Sequence, residues 1–463
     1  MFLILERLSP PDLRSVCLTH PYLRQLAEPH LYSAVELRFS ESQPPLIPSL
    51  VRTLLRRPEL AVCIRTLSCE GGNPIEWDPS EWYHDFLDPE PALSVPVRES
   101  DAQEAVSFVE NSLGNIGLSY HGVWTEGLRR GTLESYLAVF LLQLPHVQRL
   151  YLDHAYFIET NLVGSVIQSI FCSSHPDRLS SRISTSVHQL HTVSLERLAN
   201  ARNRAIRNTE NALSFFYLPS LQKLSISIDD PTTLELPWPT ARPALARQLT
   251  SLKVTQMRES HLGQLLSSAP RLRSLHWEWR FHKAHENPFH TPVVNLNLLM
   301  PALTHVKGTL TDLTIHARSV PVTAGRSNLA FGLSIQGSAA AFAGFDQLTR
   351  LFIPLAFFTG FWYPLESEER LKACLPRNLE DLTLTDDLFV DMGMLEEWDE
   401  VGILGEVVAW LSDLEATTPR LRKLCVVLMA EDDEVPPQVL GVRNEIRRLA
   451  REAGVEVAIE HAY

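Results

Sequence analysis

The sequence contains little cysteine, and its cysteines are not arranged as a disulfide or zinc framework. The six cysteines among 463 residues are scattered, and no two of them form a Cys-x-x-Cys pair. Closely spaced pairs mark zinc sites and redox motifs, whereas a dense, regular spacing marks the disulfide scaffold of a small secreted chain. We therefore expect reduced thiols and an intracellular protein, cytoplasmic or nuclear.

Long apolar runs and an excess of positive charge are also lacking. The longest apolar stretches, near 137–142 and 355–363, are shorter than the roughly 20 residues that a membrane-spanning helix needs. Lysine and arginine total 41 against 55 acidic residues, so the net charge is −14 with neutral histidines. A general nucleic-acid binder needs a basic footprint. The sequence thus predicts no membrane insertion and no nucleic-acid partner.

Motifs of known enzyme classes are absent as well. The chain has no Gly-x-Ser-x-Gly elbow, no phosphate-binding glycine loop and no Gly-x-Gly-x-x-Gly fingerprint. His282, His285 and His290 lie close together in RFHKAHENPFH, and zinc accepts three imidazole ligands. Their polar, proline-containing setting and the lack of an HExxH spacing favour a loop instead. We expect no enzyme activity, no cofactor and no metal site.

One short apolar pattern is abundant. Leu-x-x-Leu-x-Leu, with apolar replacements, occurs nine times and often follows a proline. Its last part alternates at period two, which predicts a β-strand with one buried face. The nine occurrences begin at Val147, Leu190, Leu221, Leu249, Leu272, Leu310, Leu348, Leu379 and Leu421.

Recurrence of one strand unit predicts a leucine-rich-repeat solenoid, in which each unit stacks only on its neighbours. The spacing is irregular, because the marker residues Leu252 and Leu275 are 23 residues apart whereas Leu275 and Leu313 are 38 apart. The asparagine that regular repeats carry after the strand is also missing. The predicted fold class is therefore α/β, with an irregular solenoid. The alternative is an ordinary α/β domain with unrelated strands.

Residues 1–37 have a different pattern. Apolar positions at helical spacing, interrupted by prolines, predict three short helices. Ser9 precedes Pro10 and Pro11, and Asp12 follows three residues after the serine, which predicts a capped helix start. So short a segment cannot form a sufficient core alone. We therefore expect this helical unit to pack on a partner, on the remaining chain, or on both.

Part of this helical unit resembles a known family. The F-box of filamentous-fungal F-box proteins is similar to residues 3–37, which read LILERLSPPDLRSVCLTHPYLRQLAEPHLYSAVEL. The similarity lies in Leu-Ser-Pro-x-Asp-Leu, in the run LRQLAEPHLY and in the exit VEL. The family's opening Leu-Pro pair has no counterpart here, so the unit over 1–37 is expected to be incomplete at its start. Looser similarity at 50–69 and 124–152 extends the resemblance over most of the chain.

The resemblance implies an α-helical F-box followed by divergent leucine-rich repeats over 38–463, with an acidic insertion at 70–104. It implies a substrate receptor of an SCF-type cullin–RING ubiquitin ligase, with an SKP-type adaptor and a cullin as partners. Family members bind the adaptor through apolar residues of the first helices and the Pro-x-Asp-Leu turn. The matching residues are Leu5, Leu8, Pro10, Pro11, Leu13 and Val16. The alternative is a scaffold that keeps the repeats but no longer engages a ligase.

The repeat pattern also predicts a binding surface. Residues between and just after the strand leucines point away from the core, to the concave side of a solenoid, which is its usual recognition surface. The acidic stretches 70–104 and 386–400 are interpreted as solvated loops, with partner contact as the alternative. The candidate substrate-binding residues are Tyr151, Asp153, Glu196, Lys253, His276, Glu278 and His316, and the same face is expected to carry Ser225, Ser227, Thr383 and Thr385.

Overall fold

In the computed structural model, helices and parallel strands alternate along the chain. Two units are distinguished, one formed by Met1–Ser227 with Pro237–Gln248 and the other by Ile228–Leu236 with Leu249–Tyr463. The structure describes residues 2–38, 45–70, 94–113, 119–152, 161–172, 188–195, 209–228, 230–282, 291–320, 333–360, 370–390, 400–428 and 437–461.

Five parallel strands form the sheet of the first unit, and their order in space follows their order in the sequence. Parallel neighbours need a crossover connection, which helices provide here. The strands are β1 (Ala34–Arg38), β2 (Thr66–Glu70), β3 (Arg149–Leu152), β4 (Thr192–Leu195) and β5 (Lys223–Ser227). The helices are α1 (Phe2–Leu5), α2 (Pro10–Thr19), α3 (Pro21–Leu31), α4 (Ile47–Arg56), α5 (Pro58–Ala61), α6 (Glu99–Leu113), α7 (His121–Arg130), α8 (Leu133–Leu142), α9 (Asn161–Phe171) and α10 (Thr209–Leu213), followed by a 3₁₀ helix at Ser214–Tyr217.

The second unit repeats this architecture with more strands. Its parallel sheet has the order β6-β7-β9-β11-β12-β13-β14, and β8 and β10 form a separate parallel pair. The strands are β6 (Ser251–Thr255), β7 (Ser274–His282), β8 (Val293–Asn295), β9 (Asp312–Val320), β10 (Ser334–Gln336), β11 (Arg350–Pro354), β12 (Asp381–Thr385), β13 (Lys423–Leu428) and β14 (Glu456–His461). The helices are α11 (Glu259–Ser267), α12 (Leu296–Thr304), α13 (Ala356–Thr359), α14 (Arg370–Cys374), α15 (Asp387–Val390), α16 (Glu400–Leu411), α17 (Leu414–Thr417) and α18 (Pro437–Glu452), with a 3₁₀ helix at Ala340–Gly344.

A row of apolar residues in register forms the centre of each core. All of them are at most 2% exposed, and burying each such side chain contributes about 1.5–3 kcal/mol. The row comprises Leu67, Leu150, Val193 and Leu224 in the first unit, and Leu252, Leu275, Leu313, Leu351, Leu382 and Leu424 in the second. All nine segments predicted as strands by the leucine pattern are strands, so the predicted α/β class is confirmed.

A second regularity lies in the backbone, one residue before nine of the described strands. The carbonyl oxygen of this residue accepts hydrogen bonds from two consecutive N–H groups at the start of the next strand. Arg273 and Ser274 donate to the carbonyl of Thr250 at 2.9 and 3.0 Å, and Thr311 and Asp312 donate to that of Arg273 at 2.8 and 2.9 Å. The same arrangement recurs at the carbonyls of Ser33, Arg65, Gln148, His191, Thr311, Thr349 and Glu380. One local geometry is thus repeated along both sheets.

The acidic insertion predicted at 70–104 does not end as a loop. Helix α6 begins at Glu99, and its first turn carries Glu99 and Asp101. Carboxylates near a helix N-terminus are stabilised by the free N–H groups and the helix dipole, which explains the helical start. Residues 71–93, which make up most of the predicted insertion, lie outside the described residues.

The acidic stretch predicted as a loop at 386–400 also contains helical structure. Helix α15 covers Asp387–Val390 and α16 begins at Glu400, whereas 391–399 lie outside the described residues. The apolar residue Leu388 is fully buried and fixes the short helix. No helix among the described residues has both the length and the apolar character needed to cross a bilayer.

Candidate functional site

Four of the predicted substrate-binding residues lie together on the second unit. The register of β6, β7 and β9 places Lys253 beside His276, and Glu278 beside His316. All four are partly exposed, because alternate side chains of a strand point to opposite faces and the apolar row occupies the other face. They therefore share one face, and their role in binding stays a prediction.

Aromatic rings are in contact on this face. The ring centroids of His276 and His316 are 5.1 Å apart, and those of His316 and Phe352 are 4.4 Å apart. Strands β7, β9 and β11 are neighbours, so each contributes one ring. We call His276, His316 and Phe352 the imidazole–phenyl cluster. The Nδ1 atom of His316 also lies 3.5 Å from Oδ2 of Asp387, at the start of α15.

Charged side chains of both signs lie beside the imidazole–phenyl cluster. Arg280 Nε donates to Glu278 Oε1 at 2.7 Å, so this carboxylate is neutralised by its neighbour on the same strand. Arg318 is exposed and lies beside Arg280 in the register of β7 and β9. Arg350 and Asp312 form a further ion pair on β11 and β9, so charges of both signs alternate on this face.

Three predicted binding residues come from the segments that contain β3 and β4. Tyr151 is 36% exposed on β3, where the register places it between Ser68 and Ser194. Asp153 and Glu196 lie outside the described residues, so the structure does not place them. Tyr151 thus belongs to the first unit, apart from the imidazole–phenyl cluster in the second.

Sequence analysis missed two members of this site. Phe352 stands between the buried residues Leu351 and Ile353, so the same alternation that selected His276 identifies it. Asp387 approaches His316 from a helix 71 residues away in sequence, and no local pattern signals that contact. The first omission was avoidable, whereas the second depends on tertiary structure.

Two residues expected on the exposed face are buried instead. Ser227 and Thr385 are each only 2% exposed, at the last positions of β5 and β12. Backbone pairing of β12 continues to this end, where the Leu355 N–H donates to the Thr385 carbonyl at 2.8 Å. Alternation alone thus does not predict the exposure of the last residue of these strands.

The first three helices enclose a small core of their own. Leu5, Leu13 and Ala27 are buried in it, and Leu8 and Val16 pack against it with partial exposure. Two of the residues predicted to bind an adaptor, Leu5 and Leu13, therefore face inward. They support the helices, since no partner contacts them without opening this core.

The start of α2 has the predicted cap. Ser9 Oγ accepts a hydrogen bond from the Asp12 N–H at 3.4 Å and donates to the Asp12 carboxylate at 2.5 Å. Pro10 and Pro11 occupy the first turn and are exposed. This serine cap satisfies an N–H group that the helix cannot pair internally, as the sequence pattern predicted.

Three exposed apolar side chains extend the accessible surface of this helical unit. Ile4, Leu18 and Tyr22 are 65%, 81% and 57% exposed. Leu18 lies in the last turn of α2 and Tyr22 in the first turn of α3, so both are near the junction that His20 caps through its Nδ1 atom. Apolar surface left in water is a candidate contact region, provided that it is contiguous.

An ion-pair network joins α3 to the junction between α4 and α5. Arg57 donates to both carboxylate oxygens of Glu28 at 3.0 and 2.8 Å, and Arg24 donates to Glu28 Oε1 at 2.7 Å. The hydrogen bonds from Arg57 lower the pKa of Glu28 to about 2, against the opposing effect of its partial burial. Arg57 also pairs with the exposed Glu59.

A buried polar network in the second unit was not predicted. His261 is fully buried; its Nδ1 lies 2.7 Å from Asp230 Oδ1 and its Nε2 lies 2.7 Å from the carbonyl oxygen of Thr233. Both ring nitrogens face oxygen acceptors, so both donate only when the imidazole is protonated. Burial lowers the pKa of His261, but the hydrogen bonds and the charge of Asp230 outweigh it and raise the pKa overall.

Arg258 extends this network. It is 1% exposed, its guanidinium donates to the carbonyls of Thr291 and Val293 at 2.9 and 2.8 Å, and it lies over the Trp279 ring at 4.6 Å. Its Nε donates to Glu259 Oε2 at 3.1 Å. The network holds separate loops against the start of α11, so its role here is structural.

The three histidines of RFHKAHENPFH, interpreted from the sequence as part of a loop, are only partly placed. His282 ends β7, and His285 and His290 lie outside the described residues. Comparison with known proteins adds no assignment: no protein-family model matches the chain, and no curated protein matches its sequence.

Proposed function

We propose that the protein is the substrate-receptor subunit of an SCF-type cullin–RING ubiquitin ligase. Helices α1–α3 dock on the SKP-type adaptor, and the strand face that carries the imidazole–phenyl cluster binds a protein substrate. One observation carries the proposal: a three-helix unit with its own small core and exposed apolar residues precedes a long series of parallel strands that share one local geometry.

The strand series supports the leucine-rich-repeat interpretation. The strands of each main sheet follow chain order and carry one apolar residue in register, and nine of the described strands follow the same doubly accepting carbonyl. Such nearest-neighbour stacking is the defining property of a solenoid. The irregular lengths between strands then account for the missing asparagine pattern, since each connection closes its turn differently.

The helical unit supports the docking role by its exposed residues. Pro10 and Pro11 are exposed at the start of α2, and Ile4, Leu18 and Tyr22 add apolar area on the same three helices. The buried residues Leu5 and Leu13 keep these helices together. An adaptor would thus contact the exposed set, with Leu8 and Val16 at its margin.

Copurification with an SKP-type adaptor and the amino-terminal part of a cullin tests the proposal. The full chain at roughly 1 μM should retain both, and Leu18→Arg with Tyr22→Arg should abolish retention, because two charges would enter an apolar contact. Val123→Arg with Leu245→Arg is the matched control, since both residues are exposed apolar residues of the same unit.

Retention by the control and loss by the Leu18/Tyr22 variant support docking through α1–α3. If the wild-type chain does not retain the adaptor, the ligase role is wrong and a binding scaffold takes its place. The repeats should stay folded in both variants, because the stability of stacked repeats is local. Circular dichroism of each purified variant verifies this condition.

A further inference from the structure

The last strand of the second sheet is an edge strand. Strand β14 pairs with β13 along one side, and the order of the sheet ends with it. Within the described ranges no strand lies along its other side. An edge strand presents a row of backbone N–H and C=O groups with which a further strand can pair. Because β14 has six residues, its edge has the length of an ordinary strand.

The apolar row of this sheet is less well covered at β14 than elsewhere. Val457 and Ile459 lie in register with Leu424 and Val426 of β13. Leu424 and Val426 are 0% and 2% exposed, whereas Val457 and Ile459 stay partly exposed although α18 packs against their strand. A strand added beyond β14 would extend the row and remove this apolar surface from water.

A ladder of alternating charge also ends at β14. The first residues of five neighbouring strands lie in register and carry charges of opposite sign in turn. They are Asp312, Arg350, Asp381, Lys423 and Glu456. Opposite charges on neighbouring strands stabilise a sheet, whereas like charges directly opposite each other destabilise it. The ladder holds three carboxylates and two cations, so a cation would continue it beyond Glu456.

A second carboxylate lies on the same edge. Glu456 and Glu460 are four residues apart on one strand, so their side chains leave from the same face, about 13 Å apart. Both are exposed, and the neighbour of Glu460 on β13 is the apolar residue Val427. The edge therefore presents two negative charges on one face, with Val457 and Ile459 on the other.

We propose that β14 binds an extended, basic segment of a partner protein by strand addition. Lysine or arginine lies opposite Glu456 and Glu460, and apolar side chains lie opposite Val457 and Ile459. Backbone hydrogen bonds hold such a segment, and its side chains select it. The required order is cation, apolar, any residue, apolar, cation, which reads the same in both chain directions. This surface is independent of the proposed ligase role.

A second copy of this chain fits the edge poorly. Antiparallel pairing of two β14 strands about Ala458 would place Glu456 of each copy opposite Glu460 of the other. Parallel pairing in register would place each glutamate opposite itself. Like charges directly opposite each other destabilise a strand pair in both arrangements. The charge of the edge thus favours a basic partner over self-association.

Three synthetic peptides of about nine residues test the edge by fluorescence anisotropy with the full chain. The first carries the central sequence Lys-Val-Thr-Val-Lys, and the second has glutamates for the lysines. The third keeps the side chains of the first but has N-methylated valines and threonine. The first should bind about three- to thirtyfold more tightly than the second. The third should not bind, because it lacks the N–H donors of a strand.

A charge reversal then locates the binding. Glu456→Lys with Glu460→Lys should reverse the preference, so that the glutamate peptide binds more tightly than the lysine peptide. Glu110→Lys with Glu415→Lys is the matched control, since it makes the same change in net charge at exposed positions of α6 and α17. The control should keep the preference of the wild-type chain for the lysine peptide.

Hydrogen–deuterium exchange gives a second readout. The bound lysine peptide should slow exchange in Glu456–His461 and leave Ser251–Thr255 unchanged. The proposal is wrong if the N-methylated peptide binds as well as its parent, if the charge reversal leaves the preference unchanged, or if exchange slows only outside β14. A concentration-dependent dimer with slowed exchange in β14 would instead assign the edge to a second copy.

Discussion

At the scale of single residues, the stability of each sheet depends on the apolar row. Leu224 is 2% exposed on β5 and lies in register with Val193 of β4, whereas its neighbour Lys223 is exposed. Leu224→Ala removes buried methyl groups and leaves a cavity, so it should lower the free energy of unfolding by about 2–5 kcal/mol. Lys223→Ala should change it by less than about 0.5 kcal/mol. Urea unfolding followed by circular dichroism compares the two, and equal shifts would contradict the assigned strand face.

His261 gives a pH-dependent prediction. Its folded pKa is raised, so the protonated form stabilises the fold. This contribution is complete below the ordinary histidine pKa of about 6.5 and is lost as the pH rises through the higher folded pKa. His261→Gln removes buried hydrogen bonds, so it should cost about 1–3 kcal/mol at acidic pH and less at alkaline pH.

Urea midpoints between about pH 5.5 and 8.5 measure this difference across the range where histidine titrates. His305→Gln is the control, because His305 is exposed and should leave the pH dependence unchanged. A constant gap between wild type and His261→Gln over the whole range would show that His261 does not titrate with folding.

The sequence allowed some residues of the site to be predicted and hid others. Alternation within each strand identifies His276 and His316, because a pleated strand forces adjacent side chains to opposite faces. It cannot identify Asp387, which joins them from a distant helix, nor the pair of Asp230 and His261, which are 31 residues apart. Polar networks formed between loops have no periodic signal.

At the scale of elements, an ion-pair network joins the first helices to the rest of their unit. Glu28 is mostly buried and bonds both Arg57 and Arg24. Glu28→Gln removes these charge-assisted bonds and should cost about 1–3 kcal/mol. Glu59→Gln changes the same charge at an exposed partner of Arg57 and should cost less than about 1 kcal/mol.

Acid should weaken the same contact. The folded pKa of Glu28 is about 2, below its ordinary value, so its contribution is present above about pH 4.5 and is lost as the pH falls toward 2. At neutral pH Glu28 is charged and the network is intact in the wild-type chain. Limited proteolysis at this pH should cut near α3 sooner in Glu28→Gln, which loses the network, than in Glu59→Gln. Equal cleavage rates of the two variants at neutral pH would show that the Glu28 ion pairs do not stabilise α3.

Helices and strands with a clear local sequence pattern could be predicted, whereas those whose structure depends on tertiary packing could not. The nine leucine motifs and the capped start of α2 contain all the information they need locally. Helix α15 lies in an acidic stretch, and burial of Leu388 rather than local propensity decides its structure. Tertiary packing overrides weak local preferences of this kind.

At the scale of the whole molecule, the proposed function assigns two tasks to two surfaces: adaptor docking to the three-helix unit and substrate binding to the strand face of the second unit. Because these surfaces belong to different units, damage to one should leave the other active. Arg318→Glu should therefore keep the adaptor, because Arg318 is exposed on β9 and not on α1–α3. Loss of the adaptor in Arg318→Glu, measured by copurification, would contradict this separation.

Hydrogen–deuterium exchange of the full chain, with and without the SKP-type adaptor, tests the central claim most directly. If α1–α3 dock on the adaptor, exchange should be slower in peptides covering Pro10–Thr19 and Pro21–Leu31, and unchanged in those covering Ser274–His282 and Asp312–Val320. Slower exchange on the two strands, or no change anywhere with the adaptor in excess, would contradict it.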